Sequence, residues 1–190
     1  MRLFVAIDLP DRIKQAVAGI CRGVPGVRWL PPDQLHLTLR FIGETEDAAI
    51  ATIRSGLAAI TSPAFPLSLR EMGCFPSPRR PRVLWVGLSG GAPLMQLQHD
   101  VETALVAAGL PPEERPFSPH ITLARLRDHR EGDVAPFLAR NAFFASGPFT
   151  VDAFHLYSSA LTAKGAIHRR EASYPLGRGA ATPRTEFPRS

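Results

Sequence analysis

Apolar and polar residues alternate along this chain with two distinct periods. Arg2 to Asp8 is a short apolar run that predicts a buried strand. Pro10-Asp11 then opens a helix in which Ile13, Val17 and Ile20 recur at helical spacing until Gly23 stops it. From Leu35 to Phe41 the period is two. Leu35, Leu37, Leu39 and Phe41 fall on one face of a strand, and His36, Thr38 and Arg40 on the other. Gly43 and the acidic stretch Glu44 to Asp47 lead into a helix with Ile50, Ile53, Leu57 and Ile60 on one side, and Phe65 to Arg70 predicts a further strand.

The order then restarts. Arg82 to Leu88 is a strand, Leu94, Leu97, Val101 and Leu105 mark a helix ending near Gly109, and after a Pro- and Glu-rich loop (Pro111 to Pro119) a second alternating strand runs from His120 to Leu126. A weaker helix around Val134 to Arg140 and a strand around Phe149 to Ser158 complete the second round. Each half therefore reads strand, helix, His-bearing strand, helix, strand, which predicts a duplicated unit with approximate two-fold symmetry. Lys164-Gly165 reads as a turn into a last strand, Ala166 to Tyr174. The stretch from Gly177 to Ser190, rich in Gly, Pro, Thr and Arg, is expected to be a flexible tail.

Composition fits this organisation. With 190 residues, 45% hydrophobic and 21% charged, the chain has material for one packed domain or two small lobes sharing a core. We expect a single bilobal domain over residues 1 to 176, one lobe carrying His36 and the other His120, and a monomer. Cys21 and Cys74 lack C-x-x-C spacing, so neither a disulfide framework nor a zinc knuckle is indicated, and a reduced cytoplasmic setting is expected. The apolar N-terminus reaches an acid at Asp8, too soon for a signal peptide, and no stretch approaches the ~18 apolar residues of a membrane span. Net charge is +5, and 20 of the 22 basic residues are arginine. The guanidinium fork grips two oxygens at once, which favours phosphate-bearing partners, although base-composition bias in the coding DNA produces the same skew.

The chemistry lies in a repeated tetrapeptide. His36-Leu37-Thr38-Leu39 and His120-Ile121-Thr122-Leu123 share the pattern H-x-T-hydrophobic, 84 positions apart and in corresponding places of the two halves. Residues i and i+2 of a strand share a face, so each motif offers an imidazole beside a hydroxyl. Displacement at phosphorus needs a base for the entering oxygen and an acid for the leaving one, and two facing imidazoles supply both. The threonine hydroxyls can donate to non-bridging phosphate oxygens. A single His-x-Thr on a strand is usually structural; the symmetry-matched pair is what points to function. Zinc binding by His36 and His120 is the other reading, but no H-E-x-x-H, cysteine cluster or third ligand accompanies them. No cofactor or metal is implied.

These residues resemble the two-histidine (2H) phosphoesterases, and within them the RNA 2',3'-cyclic phosphodiesterases historically called 2'-5' RNA ligases. The likeness runs over roughly residues 2 to 176 and is carried in order by RLFVAIDLP, LHLTLRFIGE, RVLWVGL, FSPHITLARL and the LYSS segment from Leu156 to Ser159. It implies a bilobal α+β fold with pseudo-two-fold symmetry, antiparallel sheets lining a central cleft and helices outside. It also implies hydrolysis of a terminal ribose 2',3'-cyclic phosphate to a 2'-phosphate. On this chain His36 would be the proton donor, His120 the proton acceptor, and Thr38, Thr122 and Arg125 the phosphate grip. The division of labour between the histidines comes from the resemblance, since spacing leaves the two motifs interchangeable.

Arg125 raises a geometric difficulty. His120 and Thr122 share parity, so an unbroken strand turns Arg125 to the opposite face with Ile121 and Leu123; either the strand bends or bulges near Ala124, or Arg125 reaches round from its end. Phe75 and Arg82, with Arg79 and Arg80, could stack on a base and contact an RNA backbone, or be a buried ring beside solvated charge. Tyr157 and His155 share a strand face; Tyr157 is a candidate RNA contact and His155 reads as structural. His99, His129 and His168 give no signal. The expected partner is RNA with a 2',3'-cyclic phosphate end, with tRNA fragments and small cyclic nucleotides left open. Two competing functions stand beside hydrolysis: 2'-5' ligation by the reverse chemistry, and RNA-end binding without turnover.

Overall fold

The computed structural model describes residues 1–162 and 165–177. The expected turn at Lys164 and the tail from residue 178 onward lie outside the described residues. The elements are β1 (Arg2–Asp8), α1 (Asp11–Ile20), β2 (Arg28–Trp29), a 3-10 turn (Pro32–Gln34), β3 (His36–Glu44), α2 (Asp47–Ala58), β4 (Phe65–Phe75), β5 (Val83–Ser89), α3 (Gly91–Ala107), β6 (His120–Arg125), α4 (Glu131–Arg140), β7 (Phe149–Val151), β8 (Ala153–Thr162) and β9 (Gly165–Pro175). Helix α4 starts three residues before the first apolar position, because the Asp133 carboxylate accepts the Arg130 backbone N–H at 2.8 Å and closes the helix N-terminus.

The strands form one antiparallel sheet in the order β7-β4-β5-β6-β3-β1-β8-β9, with β2 added beside β6. Within each half the first strand pairs with the histidine-bearing one, β1 with β3 and β5 with β6. The last strand of each half does not stay with its half. Strand β4 crosses to pair with β5, and β8 crosses to pair with β1. The lobe carrying His120 therefore contains β4 from the first half, and the lobe carrying His36 contains β8 and β9 from the second.

The strand expected over Phe149 to Ser158 is two strands broken at Asp152. Strand β7 joins β4 near one end of the order and β8 joins β1 toward the other. Only one residue separates them, so the sheet must curl until its ends approach. The seam is closed by the Leu176 N–H, which donates to the Asp152 carbonyl at 2.7 Å, and by a bridge between Pro63 and Gly177. Gly177, expected as the first tail residue, thus belongs to the fold: its N–H donates to the Ser62 carbonyl at 3.0 Å.

One face of the sheet is apolar and packs against all four helices. Leu3, Val5, Ile7, Leu37, Leu84, Val86, Ile121 and Leu123 meet Ile13 and Val17 of α1, Ile53 and Leu57 of α2, Leu94 to Leu105 of α3, and Val134 and Phe137 of α4 in a single core. Among the described residues the other face is free of helices, and it carries the histidines.

Candidate active site

The two lobes meet between β3 and β6 at one paired position, Leu37 opposite Ile121, both fully buried. This pair sets the site. His36 and His120 are the first residues of their strands. An antiparallel register through Leu37 and Ile121 puts His36 across from Thr122 and Thr38 across from His120, so the histidines are diagonal neighbours, about 7–8 Å apart in a regular ladder. Each ring is held from behind by the backbone two residues upstream. His120 Nδ1 lies 2.7 Å from the Ser118 carbonyl oxygen, and the Gln34 backbone holds the His36 ring. A carbonyl at Nδ1 keeps the proton of a neutral ring there and leaves Nε2 with a free lone pair. Among the described residues neither Thr38 nor Thr122 has a protein partner for its hydroxyl.

Both motif strands carry a β-bulge at the same place. In β3 the register passes from Thr38 to Arg40, skipping Leu39; in β6 it passes from Thr122 to Ala124, skipping Leu123. A bulge leaves two successive residues on one side and reverses the parity of the residues beyond it. Leu123 and Ala124 are accordingly both buried, and Arg125, paired with Val83, emerges on the face of His120 and Thr122. The bulge alternative for Arg125 is the one the chain adopts. In β3 the same reversal overturns the alternation expected from the sequence. Arg40 joins Leu39 on the helix side, where its Nε lies 2.6 Å from Glu102 of α3, and Phe41 turns to the open face, paired with Phe4 and 56% exposed.

The two histidines differ in surroundings. His36 stacks on Phe4 at 5.0 Å, and the His168 ring stands edge-on at 5.3 Å. Burial, reinforced by the nearby His168, pushes His36 down to about 4 against an ordinary 6.5. His120 is less enclosed, with Phe75 edge-on at 5.0 Å and Trp85 behind Phe75 at 5.2 Å. Phe75 is thus half-buried support for His120. Arg82 is exposed beside it, its N–H donating to the Phe75 carbonyl at 2.7 Å, one residue from Val83 and hence close to Arg125. Tyr157 stacks on Phe4 at 5.3 Å, and its hydroxyl accepts two hydrogen bonds from Arg170 at 3.3 Å. His155 is buried and bonded through Nδ1 to the Ser173 hydroxyl, which fits its structural reading.

Three features of this face escape motif reading. His168, on β9, sits against the catalytic candidate His36, and its signal in the sequence is no more than shared parity with Arg170. Asp8, opposite His36 in the ladder, is held between Lys14 Nζ and Arg170 Nη2, each at 2.7 Å. Phe41 is the third, hidden by the bulge. Among the described residues no group of three or more His, Cys, Asp or Glu is placed to share a metal ion, and no helix is long and apolar enough to cross a membrane. Two surface cavities, of about 490 and 690 Å³, lie elsewhere, at the β1–β8–β9 end and between α2 and α3. The histidines line an open trough of the curled sheet.

A helix-backed, curled antiparallel sheet with paired H-x-T strands at its centre is the architecture of a two-histidine phosphoesterase. The chain belongs to the 2'-5' RNA ligase superfamily, whose model matches residues 9–162. It is 34% identical over 172 residues, 89% of this chain and 97% of the relative, to the RNA 2',3'-cyclic phosphodiesterase of Archaeoglobus fulgidus. It is 38% identical over 160 residues, 83% and 89% respectively, to that of Aeropyrum pernix. Among solved structures, a Thermus thermophilus protein superposes with a TM-score of 0.78 at 27% identity, covering 94% of this chain and 100% of that one. E. coli LigT in complex with 3'-AMP superposes with a TM-score of 0.75 at 27% identity, covering 92% and 97%.

Proposed function

We propose that this protein hydrolyses the 2',3'-cyclic phosphate at the end of an RNA chain, leaving a 2'-phosphate and a free 3'-hydroxyl. The observation that carries this reading is the placement of two backbone-anchored H-x-T pairs across one antiparallel junction. The names of the curated relatives support the substrate class, and the nucleotide in the E. coli LigT complex supports a nucleotide-sized site.

In the reaction a water oxygen attacks phosphorus and forms a new P–O bond while its proton passes to His120 Nε2. The P–O3' bond breaks, its electron pair goes to O3', and His36 delivers the proton that makes the 3'-hydroxyl. The entering and leaving oxygens lie roughly in line, which is why the acid and the base must face each other across the phosphate. Thr38, Thr122 and Arg125 hold the non-bridging oxygens, where charge accumulates in the transition state. His36 is neutral at pH 7 in the free protein, since burial holds it at about 4. Taken alone, that shift fits a base better than an acid. The acid role therefore requires the phosphodiester anion to recharge His36 on binding, as an opposite charge within hydrogen-bond reach does.

The test is sulfur substitution at the leaving atom. A substrate with 3'-sulfur in place of O3' expels a thiolate that needs no proton. His36→Ala is expected to lose at least 100-fold in kcat on the oxygen substrate, within the range of general acid catalysis, and to recover most of it on the sulfur substrate. His120→Ala is expected to lose a similar amount and to recover nothing. Rescue of His120→Ala would reverse the roles, full activity of either variant on the oxygen substrate would sink the two-histidine mechanism, and loss of activity on adding a chelator would show that a metal takes part. The superfamily description favours a second reading, in which a ribose hydroxyl replaces water and a 2'-5' bond forms. Dilute aqueous conditions favour hydrolysis, and the two rates measured on one cyclic-ended oligonucleotide decide between them.

A further inference from the structure

One bank of the trough carries a cation that strict alternation of its strand would replace by an acid. Strand β9 runs against β8 with Ser173 opposite His155 and Ala172 opposite Leu156, so an unbroken ladder sets Glu171 across from Tyr157 on the open face. A bulge at Glu171 puts Arg170 there instead. Glu171 is turned away, accepting a hydrogen bond from Ser158 Oγ at 2.8 Å and lying 3.5 Å from Arg54 of α2. The wall of the trough thus presents a guanidinium whose side chain is 46% exposed. Its Nη2 lies 2.7 Å from Asp8 Oδ2, Nη2 and Nε both donate to the Tyr157 hydroxyl at 3.3 Å, and among the described residues Nη1 has no partner. Asp8 also holds Lys14 Nζ at 2.7 Å, so a single carboxylate stands between two cations and the group keeps a positive charge in excess. Asp8 is opposite His36 in the ladder, and the Tyr157 ring, 5.8 Å from Arg170 Cζ, lies 6.4 Å from the His36 ring.

We propose that Arg170, held by Asp8 and Tyr157, is the seat of a second phosphate, the one on the 5'-oxygen of the terminal nucleotide, which in an RNA chain is the linkage to the nucleotide before it. The inference rests on the phosphodiesterase reading and extends it from the reacting group to the chain behind it. With His36 protonating O3', the ribose lies on the His36 side of the phosphorus, away from His120. Beyond β3 on that side come β1, β8 and β9, the strands that supply Asp8, Tyr157 and Arg170. The 5'-oxygen of the ribose reaches over this bank, and its phosphate meets the two N–H donors of Nη1 in charge-assisted hydrogen bonds. Asp8 and Tyr157 fix the guanidinium in advance, so less side-chain freedom is lost on binding. Because Lys14 shares the Asp8 charge, that anchoring leaves Arg170 attractive to an anion. A nucleoside 2',3'-cyclic phosphate has no second phosphate, so the site favours the end of an RNA over a free cyclic mononucleotide.

Calorimetric titration with 2'-AMP and with adenosine 2',5'-bisphosphate reads the second phosphate alone, without turnover. The wild type is expected to bind the bisphosphate about tenfold tighter at low ionic strength, the usual worth of a hydrogen bond to a charged group. The 5'-methyl ester of the bisphosphate, which carries the single charge of an RNA linkage, should keep most of that gain. Arg170→Gln is expected to bring the ratio of the two affinities close to unity. Asp8→Asn, which keeps Oδ1 for the Leu9 N–H while removing the shared charge, should raise the ratio. The opposite signs are decisive, since an Arg170–Asp8 pair that only ties β9 to β1 would make the two variants act alike. A wild-type ratio of unity, a ratio unchanged in Arg170→Gln, both variants moving it the same way, loss of the gain in the methyl ester, or collapse of the ratio in Arg82→Gln in place of Arg170→Gln would overturn the proposal. Hydrolysis of 2',3'-cyclic AMP by the wild type is read separately. Turnover combined with a ratio of unity removes the second phosphate site and leaves the enzyme, whereas absence of turnover removes the phosphodiesterase reading itself.

Discussion

His36 and His120 have the same neighbours in sequence and different neighbours in space. The Phe4 ring and the His168 edge desolvate His36 and hold it at about 4, while His120 stands at a more open rim. Under the proposed two-histidine mechanism the profile of kcat/KM reports the free enzyme, whose active form carries one proton on the pair. As pH falls, the second proton is taken up by His36, so activity is lost only near its depressed value. The acid limb of kcat/KM is expected near pH 4. An acid limb of kcat/KM near the ordinary imidazole value of about 6.5 would show that His36 is not desolvated in solution. At this scale the sequence was highly informative. Both histidines and both threonines were legible as a repeated motif, whereas His168 and Phe41 were not, since nothing in a period-two pattern marks which strand a residue faces or where the period breaks.

The bulges after Thr38 and Thr122 are the elements that turn a strand pair into a site. They keep Leu39 and Leu123 in the core while turning Phe41 and Arg125 outward, and no change of composition would reveal them. The second lobe also needs a close approach behind His120. A Cβ added at Gly73 would overlap the Trp85 ring, which stands opposite Thr122 and against Phe75. Gly73→Ala is therefore expected to cost about 1–3 kcal/mol by overpacking and to lower kcat/KM by displacing the rings that support His120 and Thr122. Gly132→Ala, in helix α4 with open space around it, is the control, expected to be neutral or stabilising in urea denaturation. A Gly73→Ala protein of wild-type midpoint and activity would show that Trp85 moves freely and supports nothing.

For the molecule as a whole, the exchange of β4 and β8 between halves makes the lobes inseparable, and the curled sheet is closed at a seam far along the chain from either motif. Leu176, 6% exposed, and Gly177 form that seam with Asp152, Ser62 and Ala64. Truncation after Pro175 removes them and is expected to cost on the order of 2–5 kcal/mol, as loss of a buried leucine does. Truncation after Gly177 keeps each of these contacts and is the chain against which the loss is measured. Equal midpoints for the two truncated chains would mean that the seam contributes nothing to stability.

The chain by itself determined the alternation of its strands, the helical stripes, the duplicated order and the paired H-x-T motifs. Each of these is a periodicity of the covalent backbone and needs only local residues to express it. The exchange of third strands, the break at Asp152, the matched bulges and the contrast between an enclosed His36 and an open His120 were decided by tertiary structure. Each depends on which distant strand offers its hydrogen-bonding edge, and that choice is made by the closure of the whole sheet around one core.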